Sequence, residues 1–268
     1  PRRDFEAAIV EKNWYLPDLA VFVLDVGKGF ALKASRPGSY VFLKTKEEIG
    51  YYNVPISVMR ADIEKGQIHL AVKFISAKTK AIMDENKSLM VRGIYRNGIL
   101  GLPGILKGGG RIDKGKKLLL ITKGIGFAPG ALLASWIGED AQVDFLMDKD
   151  KITEEIITDY LPEEIKGRIQ YISLWEIFGE GRIGQSGFDL TGFVKAGGYD
   201  GVVVLASDFY IDAVRRRLDI HRSLYGEVVP KLKAYSNNFR ICCGEGICGA
   251  CSRVDDNGNV FKMCKCSL

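Results

Sequence analysis

No cysteine precedes Cys242 in this 268-residue chain, and a disulfide framework, which would be spread along the sequence, is excluded. Histidine is almost missing too. His69 and His221 are the only two, and neither falls in a pattern with a nucleophile or an acid that would carry acid–base or covalent catalysis. No apolar run approaches the ~18 residues of a membrane-spanning helix, so no membrane partner is expected. The first residues, Pro1-Arg2-Arg3-Asp4-Phe5-Glu6, lack the apolar core of a signal peptide, and the expected location is cytoplasmic. An excess of one charge is also lacking: 38 basic residues face 33 acidic ones, a net charge of +5, and the two signs alternate along most of the chain. Arg215-Arg216-Arg217 and the lysines at Lys114, Lys116 and Lys117 read as solvated faces, and no nucleic-acid partner is expected.

What is present is the balance of a globular protein, 47% apolar, long enough for two domains and a small appendage. Up to about Gly93, short apolar runs at 20–24, 40–43, 56–59 and 68–72 are punctuated by Gly27, Gly29, Pro37-Gly38 and Lys65-Gly66. This spacing predicts an all-β barrel or sandwich with one short helix near 79–85. The glycine-rich stretch 98–110 reads as a connection. From Lys117 strand and helix patterns alternate: strands at 118–121, 142–147, 168–174 and 202–205, helices at 129–137, 152–161 and 210–225. Such alternation predicts a doubly wound, mostly parallel sheet. The expected fold is therefore multidomain α+β, with a β-barrel domain at 1–105, an α/β domain at 111–235 and a small C-terminal module at 236–268.

All six cysteines lie between Cys242 and Cys266. Cys243, Cys248 and Cys251 form C-x4-C-x2-C, with Cys264 following after a gap, which is the plant-type [2Fe-2S] spacing. Gly244, Gly246 and Gly249 suit a loop that wraps a cluster and aims backbone N–H groups at sulfur. Between Cys251 and Cys264, Asn257-Gly258 predicts a hairpin that returns Cys264 to Cys251. Zinc is the rival metal, but structural zinc sites pair two short hooks and one is present. Cys266 competes with Cys264 for the fourth ligand place, which we assign to Cys264; Cys242 and Cys266 are read as structural.

Residues 117–129, Lys-Leu-Leu-Leu-Ile-Thr-Lys-Gly-Ile-Gly-Phe-Ala-Pro, are a strand, a glycine turn and a helix start, the form that lets a pyrophosphate approach amides at a helix N-terminus. With an all-β unit before it and the cysteine motif after it, the sequence resembles the ferredoxin-NADP reductase superfamily. More narrowly, it resembles the electron-transfer subunit of the heterotetrameric dihydroorotate dehydrogenases. The resemblance covers nearly the whole chain. The family's Pro-Gly-Gln-Phe is similar to Pro37-Gly38-Ser39-Tyr40, its Arg-Pro-Ile-Ser falls on Val54-Pro55-Ile56-Ser57, and its flavin-contacting strand falls on Ala71-Val72-Lys73. Its Gly-x-Gly-Thr falls on Ser76-Ala77-Lys78-Thr79, its Gly-Gly-Gly-Ile-Gly-x-Ala-Pro on residues 122–129, and its Cys-Gly-Pro on Ala206-Ser207-Asp208. The chain departs from these motifs at Val54, Ser76, Lys78, Lys123 and all three of Ala206-Ser207-Asp208; Lys73 or Lys78 offers a replacement charge for the lost arginine.

The resemblance implies FAD on the barrel domain, held by Val54, Pro55, Ile56, Ser57, Ala71, Val72, Lys73, Lys78 and Thr79. It implies NAD(P)H at Gly124, Gly126, Ala128, Pro129, Ser207 and Asp208, and a [2Fe-2S] cluster on Cys243, Cys248, Cys251 and Cys264. Tyr51 and Tyr52 are candidates to flank the flavin ring. Asp148, after the second strand of the α/β domain, favours NADH by binding a ribose 2′-OH. The implied function is an electron-transfer subunit that passes electrons between NAD(P)H, FAD and the cluster to a catalytic oxidoreductase subunit in a hetero-oligomer. Subunits of anaerobic sulfite reductase, sulfhydrogenase or transhydrogenase complexes, and a redox relay without nicotinamide turnover, are the alternatives.

Overall fold

The computed structural model describes residues 2–48, 50, 53–107, 111–150, 152–178, 188–225 and 230–266. Tyr51, Tyr52 and the Gly108-Gly109-Gly110 part of the connection lie outside them, as does the side chain of His221.

Chain order begins β1 (Phe5–Leu16), β2 (Leu19–Asp25), α1 (Lys28–Ala34), β3 (Tyr40–Lys44), β4 (Val54–Asp62), β5 (Gln67–Lys73), α2 (Ala77–Asp84) and β6 (Ser88–Tyr95). The six strands close an antiparallel barrel in the order β1-β2-β5-β4-β3-β6. Strand alternation explains its unbroken apolar runs. On β2, Phe22 and Leu24 fill the barrel while Leu19 and Val21 face outward into a second core, so the strand is buried on both sides. β1 and α1 were not legible as elements: β1 is mostly exposed and carries interspersed charges, and α1 starts behind Gly27, which reads locally as a turn.

The chain continues with β7 (Ile99–Leu100), β8 (Lys117–Lys123), α3 (Phe127–Ile137), β9 (Gln142–Asp148), α4 (Glu154–Tyr160), α5 (Glu163–Lys166), β10 (Ile169–Tyr171), α6 (Leu190–Gly197), β11 (Gly201–Leu205), α7 (Asp208–Tyr225) and β12 (Leu232–Ser236). The sheet order is β10-β9-β8-β11-β12-β7, parallel but for β7 at the edge, as the strand-helix alternation predicted. Alternate residues of β8 serve opposite layers: Leu118 and Leu120 pack with α3, Leu119 and Ile121 with α6 and α7. The strand expected at 168–174 stops at Tyr171, because Leu174 opens a 3₁₀ turn whose N–H is held by Asp148. β13 (Ser252–Val254) and β14 (Val260–Lys262) form the expected hairpin around Asn257-Gly258. No helix among the described residues is long and apolar enough to cross a membrane.

A polar clasp joins the barrel to helix α4. The Tyr15 hydroxyl donates to Asp159 at 2.7 Å, Arg60 lies over the Tyr160 ring at 4.5 Å, and His69 Nδ1 sits 3.0 Å from the Tyr160 hydroxyl. Burial, and then the Arg60 charge, push His69 down to about 4. Its unfolded value is near 6.5, so above that pH His69 is neutral in both states and contributes no pH dependence. Between about pH 6.5 and 4 the unfolded chain takes up a proton that the folded one refuses, and stability falls as the pH drops. After allowance for partial exposure, the expected loss is about 2 kcal/mol, and His69→Gln should remove it. Urea unfolding of both proteins at pH 7 and pH 4.5 measures the difference; equal acid sensitivity would refute the assignment.

Candidate functional site

A cleft of about 380 Å³ opens between the barrel and the parallel sheet. Its barrel wall is Val54, Pro55, Ile56 and Ser57 of β4, Ala71 and Lys73 of β5, then Ile75, Thr79 and Gly98. Its other wall is Lys123, Ile125, Gly126, Ala128 and Pro129 after β8, with Ala206 and Ser207 after β11. Ser236, Asn237 and Asn238 close it. β8 is the point where the sheet changes direction, with β9 on one side and β11 on the other. The cleft lies at the carboxyl ends of β8 and β11, the place where open α/β sheets bind ligands.

Most of the FAD and NAD(P)H residues named from the sequence are thus brought together, and four of them are not among the cleft walls. Val72 alternates away from Ala71 and Lys73 into the barrel core. Lys78 faces a smaller hollow with Lys44 and Asn53. Gly124 is buried in the turn, with φ +51° beside Asp150, and Asp208 accepts from Asn238 Nδ2 at 3.0 Å. Reading the sequence missed Ile75, Gly98, Ile125 and the Ser236-Asn237-Asn238 segment. The one local signal for the last is an Asn-Asn pair, able to donate and accept, at the end of a strand.

At the head of α2, where the resemblance places a glycine loop, Ser76 and Thr79 form a reciprocal cap. Thr79 Oγ1 accepts from the Ile75 and Ser76 amides at 2.9 Å, and Ser76 Oγ accepts from the Thr79 amide at 3.3 Å. These amides are spent within the chain, so Lys73 is the charged group that the barrel wall presents. Gly126 has a different constraint. A Cβ there would stand 2.0 Å from the Leu205 carbonyl oxygen, because the turn after β8 crosses the end of β11 in backbone contact.

Asp148 turns inward. Its Oδ2 lies 2.7 Å from Lys123 Nζ and accepts from the Leu174 amide at 2.8 Å, while Oδ1 accepts from the Asp150 amide at 3.0 Å. Burial works against the Lys123 ammonium, but the hydrogen bond and charge of Asp148 outweigh it and raise its pKa. The ion pair occupies the place from which Asp148 was expected to meet a ribose.

The thiols sit against the barrel. Cys243, Cys251 and Cys264 are buried, and Cys242, Cys248 and Cys266 half-buried. Cys243 and Cys242 both lie beside Cys248, and Cys251 lies beside Cys264. Burial opposes a Cys243 thiolate, but the amides of Cys248, Glu245 and Ile247 and the Cys248 thiol together bring it down to about 6. Burial and the neighbouring Cys251 push Cys264 up to about 12. Gly244, Gly246 and Gly249 all have positive φ, which lets successive amides turn toward sulfur. Gly244 lies so near the Tyr95 and Phe42 rings that a Cβ would be 2.5 and 2.7 Å from them. Glu245 completes the dock. Burial opposes its charge, yet the Tyr95 hydroxyl (2.7 Å), Lys265 (3.1 Å) and Arg2 (3.4 Å) hold it down to about 2. Among the described residues no three His, Cys, Asp or Glu side chains gather about one point as for a single metal ion.

No family profile and no curated protein matches this sequence. Solved structures do. The chain is similar to a structure of the NADH-dependent reduced ferredoxin-NADP oxidoreductase, which concerns flavin-based electron bifurcation; the identity is 19%, over 96% of this chain and 85% of that one, with a TM-score of 0.65. Phthalate dioxygenase reductase, a modular protein for electron transfer from pyridine nucleotides to [2Fe-2S], is 14% identical over 96% of this chain and 75% of its own, with a TM-score of 0.58. The cytochrome b5 reductase domain of Ulva prolifera nitrate reductase is 13% identical over 86% and 97%, with a TM-score of 0.54. The fold is that of the ferredoxin-NADP reductase-like proteins: an antiparallel barrel followed by a doubly wound α/β sheet.

Proposed function

We propose that this chain is an electron-transfer flavoprotein subunit. FAD and NAD(P)H share the cleft, Cys243, Cys248, Cys251 and Cys264 hold a [2Fe-2S] cluster, and electrons leave to a catalytic oxidoreductase subunit, of the dihydroorotate dehydrogenase type. The observation that carries this reading is the cleft itself, which spans from barrel strands β4 and β5 to the switch point of the parallel sheet. The neighbouring folds named above include one protein, phthalate dioxygenase reductase, described as passing electrons from pyridine nucleotides to [2Fe-2S].

The donor set fits both groups. Lys73 supplies a charge for a flavin phosphate, and Gly126 lets a dinucleotide approach the backbone after β8. Two irons ask for two pairs of thiolates, not three donors about one ion; Cys243 lies beside Cys248 and Cys251 beside Cys264, and the Glu245 and Cys264 amides donate to the Cys243 and Cys251 sulfurs. When bound, a flavin accepts a hydride and an iron–sulfur centre carries single electrons, so the chain's own task is placement and tuning. This agrees with cleft walls that, among the described residues, contain neither histidine nor carboxylate.

The Lys123–Asp148 pair favours a second reading, a relay that keeps its centres but does not turn over a nicotinamide. One experiment separates the two. An anaerobic visible spectrum of the purified protein is taken before and after NADH or NADPH, with iron and extracted flavin assayed on the same sample. Flavin and iron–sulfur bands that bleach support the reductase subunit, and bands that do not bleach support the relay. A colourless, iron-free sample overturns both.

A further inference from the structure

The peptide between Met263 and Cys264 is held at both ends. Its oxygen, the Met263 carbonyl, accepts from Asn97 Nδ2 at 2.7 Å and from Asn237 Nδ2 at 3.3 Å. Its nitrogen, the Cys264 amide, donates to Cys251 Sγ at 3.4 Å. A peptide is planar with its C=O and N–H opposed, so gripping the oxygen fixes where the N–H points. The two asparagines are themselves locked. Asn97 Oδ1 accepts from the Tyr40 hydroxyl at 3.2 Å, the Asn97 carbonyl accepts from Asn237 Nδ2 at 2.8 Å, and the Asn237 amide donates to the Gly98 carbonyl at 2.9 Å. Asn237 also lines the cleft. A side-chain amide is required at both places, because the Met263 oxygen needs donors while Tyr40 and the Phe239 amide, 3.4 Å from Asn237 Oδ1, need acceptors.

We propose that Asn97 and Asn237 are positioning residues that orient the Met263–Cys264 peptide so that its N–H tunes the Cys251 sulfur. The proposal rests on the cysteines holding an iron–sulfur centre, as argued above. Hydrogen bonds to ligand sulfur are among the factors that set the potential of such centres. A donor to sulfur favours the more negative, reduced form, so the two asparagines raise the potential and ease electron entry from the cleft side.

The test is an equilibrium redox titration of the full-length protein as purified, followed by the visible and electron paramagnetic resonance signals of the iron–sulfur centre, for wild type, Asn97→Leu and Asn237→Ala. Both substitutions remove a donor to Met263 without adding charge. The expected result is a shift of the iron–sulfur midpoint to more negative potential in each variant that retains the centre, larger for Asn97, whose bond is the shorter. A general loosening of the fold would change yield and stability without moving the midpoint in one direction. Midpoints equal to wild type in the variants would overturn the proposal and leave the electron-transfer reading intact. A wild-type sample without iron–sulfur signal would overturn that reading first, before any variant is made.

Discussion

Gly126→Ala is expected to destabilise the protein by about 3 kcal/mol or more and to abolish nucleotide binding in the cleft. The added methyl would stand 2.0 Å from a backbone oxygen of β11, and the atoms it meets are backbone rather than the end of a flexible side chain that could yield. Relief requires the turn after β8 to move off β11, which reshapes the wall formed by Ile125, Gly126 and Ala206. Gly124→Ala is the internal comparison. There φ is +51°, but the nearest atom is an Asp150 carboxylate oxygen at 3.4 Å, so the cost is the backbone one of about 1 kcal/mol. Urea midpoints and nucleotide titrations of the two variants check both figures. Equal losses would show that conformation, not contact, decides at this turn.

Cys248→Ser is expected to remove the iron–sulfur absorption and most of the bound iron while leaving flavin content unchanged. A serine hydroxyl does not ionise near neutral pH and is a poor iron ligand, and Cys248 lies beside Cys243 within the C-x4-C-x2-C spacing. Cys242→Ser should be mild although Cys242 also touches Cys248, because Cys242 stands outside the C-x4-C-x2-C spacing that begins at Cys243. Iron per chain and the flavin-to-protein ratio give the answer. Loss of iron in Cys242→Ser with retention in Cys248→Ser would reassign the ligands, and loss of flavin together with iron would show that cleft and thiol loop are not separate sites.

The sequence was most readable where one physical signal dominated. The runs at Leu118 to Ile121 and Val202 to Leu205 are strands buried on both faces, and their apolar continuity needs no partner to be seen. The Asn257-Gly258 turn carries its own geometry, and the hairpin followed. Strand β1 has no such signal: its partners β2 and β6 supply the hydrogen bonds, and its exposed residues mix Glu6 and Glu11 with the apolar Ala8, Val10 and Trp14. Within the site, the β4 segment and the turn after β8 were legible because proline and glycine mark them. Asn97, Asn237 and Asn238 were not, since their role is to bond backbone oxygens remote in sequence, and an isolated asparagine looks like any turn residue. Asp148 was placed on the right strand end, but the identity of its partner, Lys123, depends on parallel register between β8 and β9.

Leu19, Val21, Met59 and Ala71 of the barrel pack in one apolar cluster with Phe127, Ala131 and Leu133 of α3. Contacts between neighbouring units of a chain are ordinarily polar and permit hinge motion, whereas an interface built like an interior resists it. The two walls of the cleft are in effect one solid. A ligand arriving there meets walls that are already packed together, with no hinge to close.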